Sequence, residues 1–65
     1  MLEIATSLAV LRRERGLAAI HLADTAGVSR QTIYAIEVGT FIPNTAVALL
    51  LARALDITVE DLFTL

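Results

Sequence analysis

Apolar positions along the chain recur at helical spacing and are broken at short intervals by glycine, proline and small polar residues. Ile4, Leu8 and Leu11 lie three or four apart and predict a first helix from about Leu2 to Arg15. Arg12, Arg13 and Arg15 gather at its C-terminal end, where cations complement the helix dipole, and Gly16 stops it. A second helix is expected over Ala18–Ala26 and a third over Arg30–Val38, which Gly39 ends. The loop Thr40-Phe41-Ile42 leads to Pro43, and Asn44 is placed to cap a fourth helix running to about Leu55. Thr58 can cap a short fifth helix, with Glu60 and Asp61 favourably placed in its first turn and Leu62 and Phe63 closing the core. No run shows the period-two alternation of a strand, so the expected class is all-α: a compact five-helix bundle in a single domain, residues 1–65.

The stretch from about residue 18 to residue 38 carries the most information. Ala23 is followed four residues later by Gly27, then by Val28, Ile33 and Ile36, the layout of two short helices meeting at a sharp turn. Ala23 falls where the helices approach most closely and must be small. Gly27 leaves the second helix at a position that favours left-handed backbone angles, and Ser29 offers a hydroxyl to cap the third. That helix opens with Arg30, Gln31 and Thr32, side chains suited to phosphate and base-edge contacts. The reading is a helix-turn-helix whose partner is double-stranded DNA.

Composition changes this picture in two ways. The longest apolar run, Thr45 to Ala52, is too short to span a bilayer, and there is no charged leader before an apolar stretch; a cytoplasmic protein without a membrane partner is expected. Cysteine is absent, and His21 is the lone histidine, so no disulfide and no metal site is expected. The charge, however, opposes the DNA reading: the net charge is −2 and the pI about 5.0, with no lysine. Placement offsets this. Arg12, Arg13, Arg15 and Arg30 lie in the first half, whereas Asp56, Glu60 and Asp61 cluster near the C-terminus, so one face can be basic in an acidic chain.

From about Leu8 to Phe63 the chain resembles the XRE, or phage-repressor/Cro-like, helix-turn-helix family. The resemblance is carried by Leu8-x-x-Leu11-Arg12, Arg15-Gly16-Leu17, Leu22-Ala23, Ala26-Gly27-Val28-Ser29-Arg30-Gln31-Thr32-Ile33, Ile36-Glu37-x-Gly39, Pro43, Leu51-Ala52-Arg53-Ala54-Leu55 and Val59-Glu60-Asp61-Leu62-Phe63. It implies a lambda-repressor-like DNA-binding domain of a transcription regulator, acting by binding and without catalysis or a cofactor. The segment from Phe41 to Leu49 resembles a narrower subgroup, in which this domain often precedes a ligand-binding domain related to periplasmic solute-binding proteins.

Carried over residue by residue, Arg30, Gln31 and Thr32 would face DNA in the major groove. Helical spacing supports this independently, since Ile33, Ile36 and Glu37 share one face while Arg30, Gln31, Tyr34 and Val38 lie largely on the other. Tyr34 could meet a thymine methyl or a phosphate, or fold onto the loop near Phe41; Ser29 caps the third helix and could donate to a phosphate. The family pairs an arginine of the first helix with the glutamate that ends the recognition helix, positions matched here by Arg12 and Glu37; Arg12 could also reach a phosphate. Departures from the family pattern weaken backbone contact. Ala18 and Ala19 stand where a cap and a glutamine clamp are usual, and Val10, Ile20, Val38 and Leu50 replace residues that are usually polar or charged.

Helix four is apolar nearly all round, through Ala46, Val47, Leu49, Leu50, Leu51, Ala54 and Leu55. A second apolar face on a surface helix suggests contact with another copy of the chain or with a C-terminal domain. The alternative function is therefore a protein–protein module on the same fold, with Val10, Ile20, Val38 and Leu50 at the interface and DNA binding weak or lost.

Overall fold

A computed structural model describes residues 4–65. Five helices follow one another: α1 (Leu8–Glu14), α2 (Ala19–Ala26), α3 (Arg30–Val38), α4 (Thr45–Leu55) and α5 (Val59–Leu62). Two two-residue strands, β1 (Ala5–Thr6) and β2 (Phe63–Thr64), pair antiparallel, with Ala5 opposite Thr64 and Thr6 opposite Phe63.

The first helix is shorter than its periodicity predicts. It begins at Leu8, not near Leu2, which itself lies outside the described residues. The preceding segment is drawn into the ribbon: the Ser7 N–H donates to the Leu62 carbonyl at 2.9 Å, and the Thr6 hydroxyl accepts the Leu8 N–H at 3.2 Å, a cap from one residue further upstream. Strands of two residues are too short to show alternation, so only their pairing reveals them.

The other boundaries follow local chemistry. Ser29 Oγ accepts the Thr32 N–H at 3.1 Å, and Asn44 Oδ1 accepts the Val47 N–H at 2.9 Å, each capping its helix. Thr58 and Asp61 form a reciprocal capping box, each side chain accepting the other's backbone N–H. Ala18 holds the extended angles of an N-cap but has no side chain to complete it.

Four helices end in the same way, with the residue after the left-handed position donating five positions back: Leu17 to Arg12, Val28 to Ala23, Thr40 to Ala35 and Ile57 to Ala52. The turn needs a left-handed residue. Gly27 supplies it between α2 and α3 at φ 70°, whereas Asp56 adopts φ 56° despite its Cβ.

The core is one cluster. Leu8, Leu22, Ile33, Ile36, Leu51, Leu55 and Leu62 are fully enclosed, one or two from each helix. Ala19, Ala23 and Ala26 bury the small face of α2, which packs against both α3 and α4. α5 closes the far side against α4.

Candidate nucleic-acid interface

Ile33 and Ile36 seat α3 on the core, and this decides which of its residues reach solvent. Arg30, Gln31, Tyr34 and Val38 are exposed, while Thr32 and Glu37 are half-buried at the flanks. Among the described residues the side chains of Arg30, Gln31 and Tyr34 have no hydrogen-bond or ion-pair partner within the chain. The opening of α3 therefore presents a guanidinium and a carboxamide side by side, free to pair with an outside group.

Ser29 and Thr32 are coupled. Their hydroxyl oxygens lie 2.9 Å apart, while Ser29 Oγ also accepts the Thr32 N–H. One hydroxyl donates to the other, so one proton of the pair is always left for a neighbouring acceptor. The cap and a phosphate contact are thus compatible at this turn.

Arg12 is presented differently. Its side chain is only 12% exposed, and that of Glu37 only 6%. Arg12 Nε donates to Glu37 Oε2 at 2.6 Å, Nη2 donates to Glu37 Oε1 at 3.3 Å, and Nη1 donates to the Leu17 carbonyl at 2.9 Å. One fork thereby ties α1, the turn before α2 and the end of α3. The hydrogen bond to Glu37 holds the Arg12 pKa above its ordinary value, against the opposing effect of burial, with the charges of Glu37 and Tyr34 adding to the rise. Arg12 thus spends three of its five N–H donors inside the fold, on a largely buried guanidinium.

Arg13 and Arg15 are exposed on α1, and the latter lies within 3.5 Å of the Leu11 carbonyl. His21 is exposed on α2, and its carbonyl accepts the Thr25 hydroxyl at 3.1 Å. Tyr34 and Phe41 are each about half exposed. The Phe41 backbone N–H donates to the Ala35 carbonyl, which fixes the loop leaving α3. On α4, Ala48, Leu51, Ala52 and Leu55 turn inward and leave both Leu49 and Leu50 at the surface. No helix of the described residues is long and apolar enough to cross a membrane.

Comparison with known proteins identifies the family and the fold. The Helix-turn-helix family matches residues 8–62. The chain is 40% identical over 55 residues to the HTH-type transcriptional regulator YgzD of Bacillus subtilis, covering 85% of this chain and 83% of that one. It is 46% identical over 55 residues to an HTH-type transcriptional regulator of Methanothermobacter thermautotrophicus, covering 83% and 80%. Little of either relative lies outside the aligned segment, so the solute-binding-protein-like domain expected from the Phe41–Leu49 resemblance has no counterpart in them. The fold also superposes on the clp gene regulator ClgR of Corynebacterium glutamicum with a TM-score of 0.78 at 24% identity, covering 83% of this chain and 57% of that one. The chain belongs to the helix-turn-helix family, among its XRE-like DNA-binding transcription regulators.

Proposed function

We propose that this chain reads double-stranded DNA sequence-specifically, with the N-terminal half of α3 in the major groove. The observation that carries the reading is the partner-free pair Arg30 and Gln31 at the start of a helix held by Ile33 and Ile36. A guanidinium in this position pairs bidentately with guanine, and a carboxamide with adenine. Tyr34, one turn on, reaches a thymine methyl or a phosphate, and the proton left over from the Ser29–Thr32 pair goes to the backbone. Arg12 acts as a positioning residue that fixes the angle of α3 through Glu37. As a regulator of transcription the protein works in the cytoplasm, by occupancy and without chemistry.

The test begins with selection from a randomised duplex pool, followed by fluorescence anisotropy of the enriched and scrambled sequences across a salt series. A preferred sequence should emerge, and its binding should fall steeply with salt. An Arg30→Ala/Gln31→Ala variant should lose most of the preference while staying folded, each lost base contact costing about 1–3 kcal/mol. A folded protein with no enriched sequence and no binding at low salt refutes the reading.

A second reading has its own observation. Val10, Ile20, Val38 and Leu50 are all exposed, as an interaction module without DNA binding requires. They stand on four different helices, α1 to α4, and loss of binding in that same assay would favour this reading over the first.

A further inference from the structure

An apolar groove of about 350 Å³ runs between the start of α4, the loop before it, α5 and the terminal ribbon. Its walls include Ile4, Ile42, Pro43, Leu49, Val59 and Phe63, and no charged residue lines it. A second cavity of about 610 Å³ lies at the α4–α5 junction and shares Leu49 and Val59 with the first. Ile57, Thr58 and Arg53 stand on its other side. The two make one trough, apolar at the ribbon end and cationic at the other. Each volume falls within the range of small-molecule sites, about 300–1,000 Å³.

We infer that this trough binds a single-chain aliphatic carboxylate, a free fatty acid of medium length, with its tail in the groove and its head on Arg53. This goes beyond the DNA reading and does not rest on it. The groove sets the tail. An apolar cavity of about 150 Å³ takes a benzene ring, so the groove holds a chain of roughly ten carbon atoms. A second acyl chain does not fit beside the first, so a two-tailed lipid is not the ligand. Apart from Phe63 the walls are aliphatic, and they offer a flexible chain contact along its length.

The second cavity sets the head. Arg53 lies one turn beyond Leu49 on α4 and has no ion-pair partner among the described residues. Thr58 Oγ1 already accepts the Asp61 N–H at 3.1 Å, so its own proton is what it offers a ligand. A guanidinium and a hydroxyl proton in one cavity are donors that match a carboxylate and reject an ammonium. Asp56 and Glu60 each stand one residue from the lining without joining it, which favours a singly charged head over a phosphate dianion.

Isothermal titration calorimetry of the full chain with decanoate, below its micelle concentration and without DNA, tests this. The wild type should bind decanoate at a single site. From butanoate to hexadecanoate, affinity should rise roughly twofold to fourfold per methylene and level off near about ten carbons, where the groove is full; general stickiness keeps rising. Decanol and decyltrimethylammonium should bind roughly tenfold more weakly than decanoate. Arg53→Met should erase most of that preference and leave decanol binding unchanged. Thr45 is exposed at the start of α4 and lines the groove, so Thr45→Phe should fill it and abolish decanoate binding with an unchanged helical circular dichroism spectrum. Arg30→Ala/Gln31→Ala should bind decanoate like the wild type, so this inference and the DNA reading fail separately. A folded wild type that binds no decanoate, affinity that climbs without a plateau, an Arg53→Met protein that keeps the full preference, or a folded Thr45→Phe protein that binds normally overturns the proposal; the first would leave the groove to another protein chain.

Discussion

Replacing Glu37 by alanine tests the link between α1 and α3. The substitution leaves the Arg12 guanidinium, 12% exposed, with the Leu17 carbonyl as its remaining partner inside the fold. Exposed ion pairs contribute about 0–1 kcal/mol, and breaking a fully buried one costs about 3–5 kcal/mol. With both side chains near the buried end but Arg12 still touching water, the expected loss is about 2–4 kcal/mol. A domain of 65 residues has a total stability of only about 3–10 kcal/mol, so the variant gives up a large share of it. Urea unfolding followed by circular dichroism should show a lower midpoint with an unchanged slope, and the melting temperature should fall by about 8–30 °C. The double replacement Arg12→Met/Glu37→Leu should recover most of the loss, because no uncompensated charge remains. If Glu37→Ala costs less than about 1 kcal/mol, the pair behaves as a solvated one and the positioning role is wrong. The arginine's share of this stability is also insensitive to ordinary pH. Its folded pKa lies above the unfolded one, so the contribution is complete below the unfolded value and is lost only as pH rises through the folded value, in the extreme alkaline range.

Three further substitutions test the local arguments. Ala18→Ser should stabilise the protein by about 1 kcal/mol, since Ala18 already holds extended N-cap angles without a capping side chain; a lower thermal midpoint would contradict the geometry assigned to that turn. Asp56→Gly should raise stability by about 1 kcal/mol by relieving left-handed strain and removing a carboxylate from the C-terminus of α4. Asp56→Asn separates the two effects, and equal gains from both variants would mean that charge alone matters. Ala23→Leu should cost about 1–3 kcal/mol by overpacking the buried face of α2, and a neutral result would show that α2 can move away from its neighbours.

Much of this fold was legible because its punctuation is local. Gly27, Ser29, Asn44 and Thr58 act on backbone groups three to five residues away, so the bounds of α3, α4 and α5 could be read from residue type. The same holds for the face of α3: helical spacing alone separates Ile33 and Ile36 from Arg30 and Gln31. Asp56 escaped notice because no glycine marks the end of α4, although aspartate is among the residues that tolerate left-handed angles and its place between Leu55 and Ile57 repeats the pattern set by the glycines.

What the chain determines by itself is thus the series of helices, the turn between α2 and α3, and which residues of α3 stand on its exposed face, because each depends on interactions within one or two turns. Three features depend on residues far apart in the sequence and were decided only by tertiary structure. The start of α1 moved to Leu8 because β1 pairs with β2 at the opposite end of the chain. Arg12 turned inward because Glu37 and the Leu17 carbonyl converge on it from two other segments. Leu49, and not Leu50, lines the apolar groove because the groove exists only where α4, α5 and the ribbon meet. Periodicity gives the direction of a side chain about its own helix axis; what stands opposite that side chain is settled by how the helices pack.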